Sequence, residues 1–306
     1  MPPDAASSPA IDHVVATFPR AELSAALAAT HRAGFGPQTR VFDGARGDTA
    51  RQLERAGLRM LDGDAPPADA VLLGEADGTA YWGVRGVPGP AEDPADWRDL
   101  RMVGAVLDPL GAGLLTTAVA TLNWHDQARY CARDGSPTHP AQAGWHRHCA
   151  AAGHEEYPRT DPAVICLVHD GGDRVLLARQ PMWPAGRFSV LAGFVEAGES
   201  LEACVVREIH EEVGVTVRDV QYLGSQAWPF PRSLMVGFAA LADPDEPLVP
   251  ADGEIAEAMW VERAELRAAL RRGDWAGGVA PNGRPLLLPG RVSIARSMLE
   301  SWAAVG

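Results

Sequence analysis

Five charged side chains stand at fixed intervals near the middle of the chain: Glu199, Arg207, Glu208, Glu211 and Glu212. They lie inside GFVEAGESLEACVVREIHEEVGV, residues 193–215, between two glycines, Gly193 and Gly214. Ser200 is a predicted N-cap, with Glu199 and Glu202 at the positive end of the helix, and Gly214 before a β-branched run is its predicted stop. At about 100° per residue, Val205, Val206, Ile209 and Val213 fall on one apolar face, and Glu208, Glu211 and Glu212 fall together beside it. One helix therefore presents three carboxylates side by side.

Like charges at i,i+3 and i,i+4 repel by a few tenths of a kcal/mol per pair, so the cluster calls for a compensating cation. Arg207 can serve one carboxylate, with Glu199 as the expected partner, but not all of them. Hard divalent ions with oxygen ligands fit the remainder. One or two Mg²⁺ or Mn²⁺ ions held by a few carboxylates leave coordination positions open for a substrate phosphate. The competing reading is a solvated acidic helix face; the glycines, the arginine and the glutamates falling into place together argue against it.

The elements that must position this helix can be read around it. Residues 163–168 and 175–179 flank the turn DGGDR and read as a hairpin. FSVLAGFVE leads into the helix, VTVRDVQYL and SLMVGFAALA read as two further strands, and EAMWV as another before helices over residues 262–272 and 293–305. Strands interrupted by one central helix and followed by others imply an α/β fold, a mixed sheet between helical layers in an α/β/α sandwich. Between two of these strands lies SQAWPFPRS, residues 225–233. Its prolines stiffen the loop, Trp228 and Phe230 offer faces for stacking on a planar base, and Gln226 offers an amide to that base's polar edge. The alternative is a structural loop whose aromatics cap the core.

Upstream, strands are expected over residues 70–73 and 79–84, and helices over residues 21–32, 48–56, 97–106 and 111–124. Residues 1–12 and 87–96 read as loop. The stretch 130–159 is loop-like and carries Cys131, Asp134, His139, His146, His148, Cys149 and His154. A zinc ribbon needs paired ligands, CxxC at each end. Cys131 is followed by Asp134 at the partner position and Cys149 by Ala152, so half of a four-cysteine site is missing. The expectation is a knuckle fold that survives without structural zinc; a rescued site would use Cys131, Cys149 and one or two histidines.

With 306 residues and 46% hydrophobic content, the chain has material for about two cores. A net charge of −13 excludes a broad nucleic-acid or anionic-membrane surface. All 27 basic residues are arginine, so any phosphate clamp is guanidinium or backbone. No apolar run reaches the length of a membrane span, the first ten residues lack the parts of a signal peptide, and four scattered cysteines do not make a disulfide framework. A cytoplasmic protein is expected.

The charged motif matches GX5EX7REUXEEXGU in full, and the chain is identified as resembling the Nudix hydrolase superfamily. Within it, the chain is similar to the NADH pyrophosphatase family, whose SQPWPFPxS signature appears as Ser225, Gln226, Ala227, Trp228, Pro229, Phe230, Pro231, Arg232 and Ser233. The likeness extends through LNWH at residues 122–125, YPRTDP at 157–162 and SIA at 293–295. It implies an N-terminal α+β domain (1–125), a degenerate zinc-ribbon segment (126–161) and a Nudix catalytic domain (162–306). Carried over by position, it implies metal binding by Glu208, Glu211 and Glu212, with the carbonyl of Ala192 and the carboxylate of Glu254 completing the shell. Arg207 and Glu199 belong to the same machinery. The dinucleotide would be held by Tyr157, the loop from Gln226 to Ser233, and the backbone at Ala295. The implied reaction is metal-dependent hydrolysis of the diphosphate of NADH or NAD⁺, including the NAD cap of an RNA 5′ end, in a homodimer. Two departures stand out: Ala227 replaces a proline of the loop, and Asp134 and Ala152 replace zinc cysteines. The competing functions are a broader pyrophosphatase acting on ADP-ribose, FAD or dinucleoside polyphosphates, and a non-catalytic NAD(H)-binding module.

Overall fold

The structure, a computed structural model, describes residues 66, 69–76, 79–84, 97–272 and 286–305, with the backbone of a short strand at Thr39–Arg40. The helices expected over residues 21–32 and 48–56 and the loops over 1–12 and 87–96 lie outside the described residues. The chain divides into two compact units: one holds the residues from Asp161 onward except Trp228–Arg232, and the other holds the described residues up to Thr160 together with Trp228–Arg232.

In the first of these, alternation along the strands builds the architecture. The sheet contains β8 (Asp161–His169), β9 (Arg174–Arg179), β10 (Leu191–Phe194), β11 (Val217–Trp228), β12 (Ser233–Ala242) and β13 (Glu257–Glu262). Its order is β11-β12-β8-β9-β13, with β10 also on β8. β12 runs parallel to β8, whereas β10 and β13 are antiparallel to their partners, so the sheet is mixed. Side chains of successive strand residues point to opposite faces. Val164, Cys166 and Val168 of β8, with Leu176 and Ala178 of β9, accordingly enter one core together with Cys204, Val205, Ile209 and Val213 of helix α3 (Leu201–Val213). Ile165 and Leu167, with Val175 and Leu177, enter a second core. There they meet Leu266 and Ala269 of α4 (Arg263–Arg271) and Ile294, Met298 and Leu299 of α5 (Ile294–Ala304). A sheet with one apolar face for each helical layer is the expected α/β/α sandwich.

The other unit pairs β1 (Thr39–Arg40) with β4 (Trp97–Arg98), and β2 (Val71–Ala76) with β3 (Thr79–Gly83). Helix α1 spans Leu100–Val103 and α2 spans Pro109–Gln127. Val71 and Leu73 of β2 bury against Leu114, Ala118 and Leu122 of α2. The helix expected over residues 97–106 is cut short at both ends. Asp99 accepts the Arg101 N–H in its side chain as N-cap, which leaves Trp97–Arg98 extended, and Gly104 closes the turn.

Residues 130–159, expected to be loop, form a three-stranded antiparallel sheet of β5 (Thr138–Ala141), β6 (His146–Cys149) and β7 (Glu155–Glu156). These strands are polar and short, so apolar alternation does not announce them. Tight turns and buried polar ties hold them instead: Arg147 donates to the Thr138 hydroxyl and carbonyl at 2.7 Å each, and Trp145 donates to the Leu72 carbonyl at 2.7 Å. Gly144 at φ 88° lies against Val71, where a Cβ would stand 2.7 Å from its Cγ2.

Candidate active site

Helix α3 starts where Ser200 Oγ accepts the Ala203 N–H at 3.1 Å, and stops at Gly214 in the left-handed conformation, whose N–H donates to the His210 carbonyl. Val205, Ile209 and Val213 are buried as the period requires. Val206, expected with them, is exposed, at the outer edge of the apolar stripe on the side away from the glutamates.

Arg207 serves more carboxylates than one. It donates to both oxygens of Glu199 at 2.7 and 2.8 Å, and to Glu208 and Glu211 at 2.9 Å each. It also donates to the Phe194 carbonyl at 3.0 Å. The fork of a guanidinium, with five N–H donors, allows this where an ammonium would not. The hydrogen bonds from Arg207 hold the Glu199 carboxyl down at about 2.

Glu212 is left out of this arrangement. It is 7% exposed, and its Oε2 is buried with no hydrogen-bond partner. Burial first, and then the charges of Glu208 and Glu254, push its pKa up to about 8. Burial likewise raises Glu208, although Arg207 pulls the other way. Glu208 rests on Gly193 of β10 so closely that a Cβ there would sit 1.9 Å from its Cδ. Ala192, the preceding residue of β10, pairs with Ile165 of β8. The turn carrying Glu254 is tied to the end of α3, where the Ala251 N–H donates to the Glu212 carbonyl at 2.9 Å. Glu208, Glu212 and Glu254 thus form an electronegative group with one orphaned buried oxygen and too little counter-charge. An all-oxygen donor set of this kind suits a hard divalent cation, so the residues fit the metal that the motif calls for.

The aromatic loop is more structural than its sequence suggested. Trp228 and Phe230 meet edge to face, with centroids 5.0 Å apart. Phe230 packs on the apolar cluster of Leu100, Val103 and Leu115, and the Arg101 guanidinium lies 4.7 Å from its centroid. Gln226, expected to offer its amide to a base, is buried with both ends engaged: Nε2 donates to the Val292 carbonyl at 2.8 Å and Oε1 accepts the Ile294 N–H at 2.7 Å. Its observed role is to fix the start of α5, beside Ala295, whose N–H donates to Ser293 Oγ. Ala227 and Pro231 are exposed, Pro229 and Ser233 buried, and Arg232 half-buried. Tyr157 is half exposed, its hydroxyl donating to Glu155 and its ring tilted against His146. Cys149, at the end of β6, and Cys131, in the turn that precedes β5, are buried free thiols.

Comparison with known proteins agrees with this construction. Residues 159–281 match the NUDIX domain, and residues 126–157 match the NADH pyrophosphatase zinc ribbon domain. The chain belongs to the Nudix hydrolases, in the NADH pyrophosphatase family whose members carry that ribbon. It is 59% identical over 269 residues to the "NAD-capped RNA hydrolase NudC" of Mycobacterium tuberculosis (strain ATCC 25618 / H37Rv), covering 85% of each chain. It is 39% identical over 252 residues to the protein of the same name from Stutzerimonas stutzeri (strain A1501), covering 82% of this chain and 78% of that one. To the "NAD(P)H pyrophosphatase NUDT13, mitochondrial" of Mus musculus it is 40% identical over 205 residues, covering 66% and 58%. Among the described residues no helix is long and apolar enough to cross a membrane.

Proposed function

We propose that this enzyme hydrolyses the diphosphate bond of NADH and NAD⁺ to a nicotinamide mononucleotide and AMP, and removes the NAD cap from RNA 5′ ends. The observation that carries the chemistry is the orphaned, buried Glu212 carboxylate beside Glu208 and Glu254. These three, with the Ala192 carbonyl and Glu211, would hold Mg²⁺ or Mn²⁺. When bound, such ions neutralise the diphosphate oxygens and acidify a water for in-line attack at phosphorus.

The chain's own residues do the rest. Arg207 holds Glu199, Glu208 and Glu211 in one array, so their orientation is set before substrate arrives. The same guanidinium, donating to the Phe194 carbonyl, ties α3 to β10 and keeps Glu208 against Gly193. A carboxylate of the array accepts the proton of the attacking water, and Glu211, the most exposed of the three at 57% of its side chain, is the one free to exchange it with solvent. Trp228 supplies an aromatic face for a base or the nicotinamide ring, backed by Phe230.

The relatives' names support the substrate class, and the exposed Tyr222 and Leu223 on the edge strand β11 support a homodimer. A cytoplasmic location belongs to the same proposal. Product analysis with NADH, NAD⁺, ADP-ribose, FAD and NAD-capped RNA in Mg²⁺ or Mn²⁺, beside Glu212→Gln, tests the reading. NMN(H) and AMP as main products and an inactive variant are expected. Preferred cleavage of ADP-ribose would overturn the substrate assignment, and dinucleotide binding without turnover would overturn the enzyme.

A further inference from the structure

Cys131 and Cys149 open two turns with the same backbone. The Gly135 N–H donates to the Cys131 carbonyl at 2.9 Å, and the Gly153 N–H donates to the Cys149 carbonyl at 2.8 Å. The Cys131 N–H donates to the Ser136 carbonyl and the Cys149 N–H to the His154 carbonyl, both at 2.8 Å. Gly135 and Gly153 share φ values of 74° and 72°. Residues 131–136 and 149–154 are therefore equivalent knuckles.

Equivalence shows what each knuckle contributes beyond its cysteine. The position three residues on holds Asp134 in the first and Ala152 in the second, so the second has no donor there. It has one two residues later, at His154. The donor atoms of Cys131, Asp134, Cys149 and His154 all lie within 4.8 Å of one another. Cys131 Sγ stands 3.3 Å from His154 Nδ1, the Asp134 carboxylate oxygens 3.6 and 3.7 Å from Cys149 Sγ, and Asp134 Oδ2 3.5 Å from His154 Nδ1. With Zn–S of about 2.3 Å and Zn–N and Zn–O of about 2.0 Å, the edges of a tetrahedron would be about 3.3–3.8 Å. Three of the six donor pairs stand at those separations, and all six lie within 4.8 Å.

We propose that the ribbon binds one zinc ion through Cys131 Sγ, Asp134, Cys149 Sγ and His154 Nδ1, with His154 replacing the ligand that Ala152 removes. Two sulfurs, one nitrogen and one oxygen suit zinc, not the hard ions of the carboxylate array. The bland alternative is that the four groups satisfy each other through weak S–H···O and S···N contacts and hold no ion.

Full-length protein purified without added metal and then desalted separates the two by elemental analysis and by the visible spectrum after exchange into Co²⁺. One zinc per chain and a tetrahedral cobalt spectrum with charge transfer from two thiolates are expected. Asp134→Ala and His154→Ala should each weaken zinc binding at least about tenfold. Because such variants can lose their fold, a double variant carries the decision. Ala152→Cys with His154→Ala should regain the ion and show the stronger charge transfer of three thiolates. Absence of zinc would overturn the proposal, as would zinc and a cobalt spectrum unchanged in His154→Ala, or zinc retained when Cys131 and Cys149 are both serine.

Discussion

Two donor clusters, one in each unit, solve the problem of gathering reactive groups in opposite ways. The carboxylate array comes from one helix and the turn that leads into it, so local periodicity and the N-terminal turn place its members, and Arg207 compensates part of their charge. The ribbon cluster comes from two separate turns, and backbone hydrogen bonds place its members, while among the described residues no guanidinium is seen bonded to them. The first is all oxygen and strained by charge; the second mixes sulfur, nitrogen and oxygen at separations that a single ion can satisfy. Groups that must exchange a hard ion with substrate are held electrostatically, and groups suited to retaining a softer ion are held by turn geometry.

The comparison breaks most visibly at Glu212. Glu212→Gln should lower kcat by about 10²–10⁴-fold while leaving the metal content of the ribbon unchanged, measured by turnover and elemental analysis on one preparation. Loss of both would mean that the clusters are not independent. Gly193→Ala should displace the Glu208 carboxylate and weaken divalent-ion affinity by about 10–100-fold, read by calorimetric titration, again without touching the ribbon.

A third test uses pH. The Glu212 pKa is raised from 4.5 to about 8 in the metal-free fold, so its contribution to stability is complete below about pH 4.5 and is gone above about pH 8. Metal-free protein should lose thermal stability across that window, and Mg²⁺ should restore it most at the alkaline end. Ion binding near pH 7 should release a proton, seen as a dependence of the calorimetric heat on buffer ionisation. The smallest effect is expected at Arg101, whose contact with Phe230 is worth about 0.5–1 kcal/mol. Arg101→Gln should raise KM for the dinucleotide a few-fold at most and leave kcat alone.

The strands of the catalytic unit were legible because burial on two faces leaves an unbroken apolar run, as in residues 163–168, and the acidic helix was legible because both caps and the period agree. Side-chain partnerships were less so. Nothing in the spacing shows that Arg207 reaches three carboxylates, which depends on β10 bringing Glu199 back beside α3. Gln226 looked available because its neighbours are prolines and aromatics; its amide is instead engaged by a backbone segment far along the chain. Asp134 read as a lost cysteine, and His154 as one histidine among several, because the equivalence of their turns is a matter of backbone hydrogen bonds that residue types do not reveal.

Arg207 also sets the terms on which the array takes up positive charge. One guanidinium shared by three carboxylates offsets only part of their charge, so a divalent cation is drawn by the remainder and competes with Arg207 for the same oxygens. Occupancy of the proposed metal site would then follow the free concentration of that cation. Turnover would be set, as by a rheostat, by ionic supply as well as by how much dinucleotide is present.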